Sequence, residues 1–315
     1  MLYKASAPGS LMLLGEFAVL YGKPALVCAI DKRITVTLTP RDDEKIEIHS
    51  SALGHYATDI HSITVQQPFH FVLGVLKQLQ PKLKRGCNIE ITSEFSEKLG
   101  LGSSAAVTVA LLAAIITWLN IKTQPLDLIR QGRHIIRQIQ GVGSGADIAA
   151  SVYGGIVGFQ AQPIAAEKFS MTCPLTALYA GFKTPTVDVI RQVQQHFMTH
   201  PALLRQITNG IGQCVIDAMH HLRKEDWSKI GEIMTIQQGM LESLGVSLPL
   251  LRNMTDELRQ LPGMAGAKIS GSGMGDCVIG LGKAAHDFVF QPGQYPEVRN
   301  IPVSMTLQGV HCEKI

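Results

Sequence analysis

Polar and apolar residues alternate one for one in three stretches of the first third of the chain: KRITVTLT (32–39), KIEIH (45–49) and CNIEIT (87–92). A period of two in β-branched sequence marks half-buried strands, so these stretches predict an antiparallel sheet. The period then changes. Ala105 to Leu119 is apolar almost throughout and predicts a fully buried helix, and Gln124 to Gln140 carries apolar positions at helical spacing. After Gly154 and Gly155, IVGF predicts a strand that closes the first domain, and a shift in composition near residues 160–175 marks the expected boundary. Beyond it, Leu178 to Gly181 reads as a strand. Val187 to Val193, Gln206 to Leu222 and Trp227 to Leu244 read as helices, the last stopped by Gly245. KISGSGMGDCVIGL (268–281) gives a turn, a glycine loop and a strand.

No charge falls between Lys98 and Lys122, a gap long enough to raise the question of a membrane helix. Gly100, Gly102, Ser103 and Ser104 take up its first third and leave ~15 apolar residues, short of the ~20 that a span requires. At the N-terminus, Glu16 interrupts an apolar stretch that has no cleavage site, which argues against a signal peptide.

Composition narrows the function classes. The 315 residues are 46% hydrophobic and 17% charged, enough for two ordinary domains with their own cores. A net charge of +3 without a lysine-arginine block gives no reason to expect nucleic acid, but leaves room for a small anion. Six cysteines lie far apart with no CxxC pair, which reads as reduced, buried thiols in a cytoplasmic protein.

Candidate chemistry sits in three glycine-rich stretches. GLGSS (100–104) stands at the mouth of the apolar helix, where small residues admit a ligand and free amides and the helix dipole favour phosphate; a serine N-cap explains the same residues. In GVGSGADIAASVYGG (141–155), Asp147 is either a base for a substrate hydroxyl or the cap of the helix that follows. GAKISGSGMGDCVIGL (266–281) holds a loop at Gly271 to Gly275 that either closes over a nucleotide or is a plain turn.

Together with APGSLMLLGEFAVLYGKPAL (7–26), GLGSSAA and the last glycine loop resemble, in order and distance, the three motifs of the GHMP small-molecule kinases. The resemblance spans nearly the whole chain. It implies an α+β two-domain fold, with a ribosomal-protein-S5-like ATP-binding domain over residues 1–165 and a ferredoxin-like α/β domain over 166–315. It also implies ATP as co-substrate, Mg2+ and a small-molecule alcohol as acceptor; charge and hydropathy give no nucleic-acid or membrane partner, and a homodimer stays open.

Residue by residue, the resemblance makes Asp147 catalytic and assigns Gly100, Leu101, Gly102, Ser103, Ser104, Ala105, Gly271, Ser272 and Gly273 to the nucleotide. Ser104 would also hold the metal, and Glu16, Phe17, Lys183 and Thr186 would meet the acceptor. QQGMLESLGVSLPLL and KTPT (183–186) are similar to mevalonate kinases, whereas HIIRQIQGVGSGADIAASVYGG and the Gly275-Asp276 ending are similar to phosphomevalonate kinases. Mevalonate is the first acceptor expected and phosphomevalonate the alternative, with Lys23, Lys183 and Lys268 as candidate cations. The chain departs from the family pattern at four positions. Ser10 stands in place of a lysine, Phe17 of a histidine, Ile136 of a magnesium-binding glutamate and Met274 of a glycine. These departures keep a nucleotide- or metabolite-binding protein without strong catalysis as the reading from another class.

Overall fold

The structure, a computed structural model, describes residues 1–285, 288–291 and 294–315. In chain order the elements are β1 (Tyr3–Leu14), β2 (Ala25–Pro40), β3 (Lys45–Ser50), β4 (Gly54–Asp59), α1 (His70–Leu79), β5 (Cys87–Ser93), α2 (Ser103–Trp118), α3 (Pro125–Gln140), α4 (Ala146–Tyr153), β6 (Ile156–Ala161) and β7 (Ile164–Phe169). Then come β8 (Leu175–Tyr179), α5 (Thr186–His196), α6 (Pro201–Leu222), α7 (Trp227–Ser243), α8 (Pro249–Gln260), β9 (Gly266–Ser270), β10 (Cys277–Leu281), β11 (Arg299–Ile301) and β12 (His311–Lys314).

Among the described residues the strands form two sheets. The first has the order β12-β1-β2-β5-β3-β4, with β6 on β2 and β7 on β6; the second has the order β11-β8-β10-β9. The predicted antiparallel sheet holds with one exception, because β3 pairs β5 in parallel, Ile48 opposite Ile89. The chain turns back through β4 and crosses by α1 before it enters β5, which is the kind of connection a parallel pair requires.

Strand β1 escapes the alternation rule because it is buried on both faces almost from end to end. Its register with β2 shifts between Pro8 and Ser10 and again between Met12 and Leu14. Pro8, which has no amide to donate, sits at the first of these irregularities.

The apolar run after GLGSS is α2, 16 residues long and packed against β1 and β2. No helix among the described residues is long and apolar enough to cross a membrane. Helices α7 and α8 cover β9 of the second sheet. The expected division between residues 165 and 166 is crossed twice by the first sheet: β7 runs over it, and β12 returns from the far end of the chain to pair with β1. Phe17 and Ala18, just past β1, are buried in the second core instead, with Leu178, Ile211 and Val246. β1 therefore links both cores, and the N-termini of α2 and α4 meet its middle.

Candidate active site

A cleft of about 1400 Å³ opens between these elements and brings together residues from all three glycine-rich stretches, among them Gly102, Ser104, Asp147 and Asp276, with Ser10 of β1 and Lys183. On one wall, Gly100 and Gly102 hold left-handed backbone (φ 67° and 70°), and Gly102 is the N-cap of α2 without any side-chain cap bond. Ser103 and Ser104 are thus the first helical residues and not caps, and the first helical bond runs from the Ala106 amide to the Gly102 carbonyl. The amides of Ser103, Ser104 and Ala105 lie ahead of it, in the turn where helix donors have no internal partner, and all three residues line the cleft. Leu101 is buried behind the turn, where its carbonyl accepts from the Ser10 amide at 3.0 Å. A Cβ on Gly102 would lie 2.2 Å from Ser10 Oγ, so this glycine is also required by the close approach of β1.

Asp147 does not cap its helix either; Gly145 is the N-cap of α4. The carboxylate instead accepts a hydrogen bond from Ser10 Oγ at 2.8 Å, across 137 residues of chain. Burial raises its pKa above the ordinary carboxylate value, while the Ser10 hydroxyl and the charge of Lys183 oppose the rise.

The third stretch forms a run of left-handed backbone, with φ of 94° at Gly271, 76° at Gly273, 55° at Met274, 130° at Gly275 and 61° at Asp276. It is anchored to the segment after β8. Thr184 Oγ1 donates to the Met274 carbonyl at 2.6 Å, and the Asp276 amide donates to the Phe182 carbonyl at 2.9 Å. Met274 therefore sits in a loop tied down by neighbours, which supports its left-handed backbone. The same anchoring brings Lys183 Nζ within 3.7 Å of Asp276 Oδ1. Sequence reasoning took Asp276 only as the end of a glycine loop. It is in fact a buried carboxyl in the cleft wall, pushed up to about 6 by burial and the nearby charge of Asp147, with Lys183 pulling the other way. Gly271, Ser272 and Thr186 line the cleft as well, whereas Gly273 packs against Val246 and is absent from its lining.

Glu16 and Phe17 line the cleft, but neither offers an open group. Both Glu16 oxygens are engaged: Lys268 Nζ donates to Oε1 at 2.5 Å and Gln237 Nε2 to Oε2 at 2.6 Å. Phe17, at φ 61°, is buried among the second core. Lys268 is fully buried and also donates to the Ile269 carbonyl, so it is no surface cation for an acceptor. Lys23 packs against Gly212 and does not line the cleft. Of the three lysines considered, the cleft receives Lys183, joined by Lys98, and no arginine among the described residues lines it.

Residues 70–155 match the family described as GHMP kinases N terminal domain, and residues 218–290 match GHMP kinases C terminal. Mevalonate kinase of Methanothermobacter thermautotrophicus is 30% identical over 275 residues, covering 87% of this chain and 88% of that protein. The chain belongs to the GHMP kinases. Mevalonate kinase of Pyrococcus furiosus is 29% identical over 296 residues, with 88% of each chain covered. The crystal structure of Lactococcus lactis galactokinase complexed with galactose superposes with a TM-score of 0.82 at 18% identity, over 98% of this chain and 95% of that one, which shows the shared fold.

As a GHMP kinase, the protein is a small-molecule kinase with ATP as co-substrate. A kinase of this family raises the question of a divalent cation, and the cleft's donor set bears on it. Among the described residues, the one cluster of three histidine, cysteine or acidic ligand atoms is Glu47, His49 and His55, none of which lines the cleft. Ile136, in the glutamate's expected place, lines the cleft with a side chain that cannot ligate. What the cleft does offer is hard oxygen: Ser104, Asp147, Ser272 and Asp276, with Ser272 Oγ and Asp276 Oδ1 buried and without hydrogen-bond partners among the described residues. That set fits magnesium, which keeps waters and takes one or two carboxylates beside substrate phosphates.

Proposed function

We propose that this kinase transfers the terminal phosphoryl group of ATP to mevalonate in the cytoplasm, with Mg2+ as cofactor. The observation that carries the choice of acceptor is the scarcity of cations at the cleft, where Lys98 and Lys183 are the lysines and arginine is lacking among the described residues. A phosphorylated acceptor would need paired basic groups of its own in addition to those that meet ATP. The sealing of Lys268 by Glu16 removes one candidate for that pair. The extent of similarity to curated mevalonate kinases supports the same reading, and the free, mostly buried thiols fit a reducing compartment.

In this reading the free amides of Ser103 to Ala105, with Gly100, Gly102, Gly271 and Ser272, hold the nucleotide phosphates, while Leu101 and Gly273 support the two loops from behind. Ser104 would ligate the magnesium, which neutralises charge on the phosphates. Asp147 takes the proton of the acceptor hydroxyl, and its raised pKa makes it a better base than an ordinary carboxylate at neutral pH. Ser10 holds that carboxylate in place. Lys183 and Thr186 face the acceptor, while Glu16 and Phe17 give its wall shape rather than open charge.

Turnover of ATP by the purified protein against mevalonate, phosphomevalonate, galactose and homoserine tests the reading. Mevalonate should be the fastest acceptor. Faster turnover of phosphomevalonate would replace the acceptor, and no turnover of any would leave a binding protein.

A further inference from the structure

The cleft holds two carboxylates, Asp147 and Asp276, and Lys183 lies within reach of both charges. A nucleotide's polyphosphate brings more negative charge to the same wall, so the second carboxylate repels the co-substrate unless a further cation intervenes. Asp276 is 5% exposed, yet its Oδ1 accepts no hydrogen bond from the described residues. That oxygen is aimed at the phosphate turn: a Cβ on Gly100 would lie 2.8 Å from it, which only glycine avoids. Its backbone is held in left-handed form by bonds to Phe182 and Ala180, so the carboxyl is delivered by the fold and not by a flexible loop end.

We propose that Asp276 is a direct ligand of the divalent cation that accompanies the nucleotide, and that Lys183 is its counter-ion until the cation binds. The proposal rests on the nucleotide reading of the cleft. It gives the metal a protein carboxylate from the second sheet's loop, opposite Ser104 on α2, and the phosphates and waters supply the remaining positions. A purely structural Lys183–Asp276 ion pair accounts for less, because at 3.7 Å the lysine leaves Oδ1 without a hydrogen bond.

The test is calorimetric titration of ATP into the full chain, once with magnesium and once with a chelator. Asparagine tolerates left-handed backbone and keeps the shape of aspartate, so Asp276→Asn should fold. It should weaken magnesium-ATP by about tenfold or more, a loss typical for a disturbed metal site, and leave metal-free ATP unchanged or tighter. Asp276→Cys provides a second test, since a thiolate prefers a soft cation. It should favour cadmium-ATP over magnesium-ATP, reversing the parent's order, with Asp276→Asn as the control in both metals. An unchanged magnesium dependence in the asparagine variant, or an unchanged metal order in the cysteine variant, overturns the proposal. If the parent itself binds no ATP with or without metal, the nucleotide reading fails first, and this proposal with it.

Discussion

Ser10 Oγ donates to Asp147 Oδ1 at 2.8 Å and so ties the middle of β1 to the first turn of α4. The bond occupies one carboxylate oxygen and leaves the group partly accessible at the cleft. If Asp147 removes the acceptor's proton, Asp147→Asn keeps the Ser10 contact and loses the base. Turnover should fall by ~10²- to 10⁴-fold. ATP affinity and melting temperature should stay near the parent's. Single-turnover phosphoryl transfer is the measurement, and transfer at the parental rate would remove the catalytic role.

The same bond sets the pH profile. As the proposed base, Asp147 would act ionised, so the rate should be lost as pH falls through its pKa, which burial raises and the Ser10 hydroxyl pulls back down. Ser10→Ala removes the downward pull, and the carboxyl should then bind its proton more tightly. The acid limb of kcat should therefore move to higher pH in the variant, with the plateau rate less affected than in Asp147→Asn. A limb that does not move would assign that ionisation to another group.

What was legible in the sequence follows from burial on one face or two. The strands at 32–39, 45–49 and 87–92 alternate because each buries one side, and the structure has them inside β2, β3 and β5. Strand β1 is buried on both sides and contains Pro8-Gly9, so its sequence reads as a turn and an apolar run. Helix α2 was recognisable by length, its start displaced from Ala105 to Ser103. The pairings Glu16–Lys268 and Lys183–Asp276 were not legible, because they join segments 252 and 93 residues apart and no local period reports them. Lys268 in particular reads as an available cation in sequence, and only the packing around β9 reveals that it is spent.

Gly102, in the proposed phosphate turn, is also fixed by packing. A methyl group there meets Ser10 Oγ at 2.2 Å on a backbone at φ 70°, before any ligand is considered. Gly102→Ala should lower both stability and turnover. Gly263→Ala, also at positive φ (77°) but with open space around the added carbon, is the control. Its cost should be only the backbone strain of ~1–2 kcal/mol. Chemical denaturation of the two variants checks the difference; equal losses would mean that β1 yields freely at Ser10.

The buried ion pair makes the last prediction. Lys268 Nζ and Glu16 Oε1 lie 2.5 Å apart with side chains 0% and 2% exposed, and Gln237 and the Gly271 amide also donate to Glu16. The pair couples the end of β1 to β9, and through Gly271 to the third glycine loop. Removing one partner strands the other charge in a dry site, a loss of ~3–5 kcal/mol, whereas removing both takes the desolvation penalty away as well. Glu16→Gln and Lys268→Met should each destabilise strongly, and the double variant should be more stable than either. The pH dependence gives the sign. Burial lowers the pKa of Lys268 and Glu16 holds it up, so in Glu16→Gln the lysine loses that support and its folded-state pKa falls further below its unfolded value. Stability is then lost as pH falls through that lowered pKa and recovers toward high pH, where the lysine is neutral in both states. Denaturant unfolding at several pH values should show the deficit of Glu16→Gln relative to the parent shrinking as the pH rises. A deficit that is constant with pH would mean that the lost energy lies in the hydrogen bonds from Gln237 and Gly271 rather than in the stranded charge.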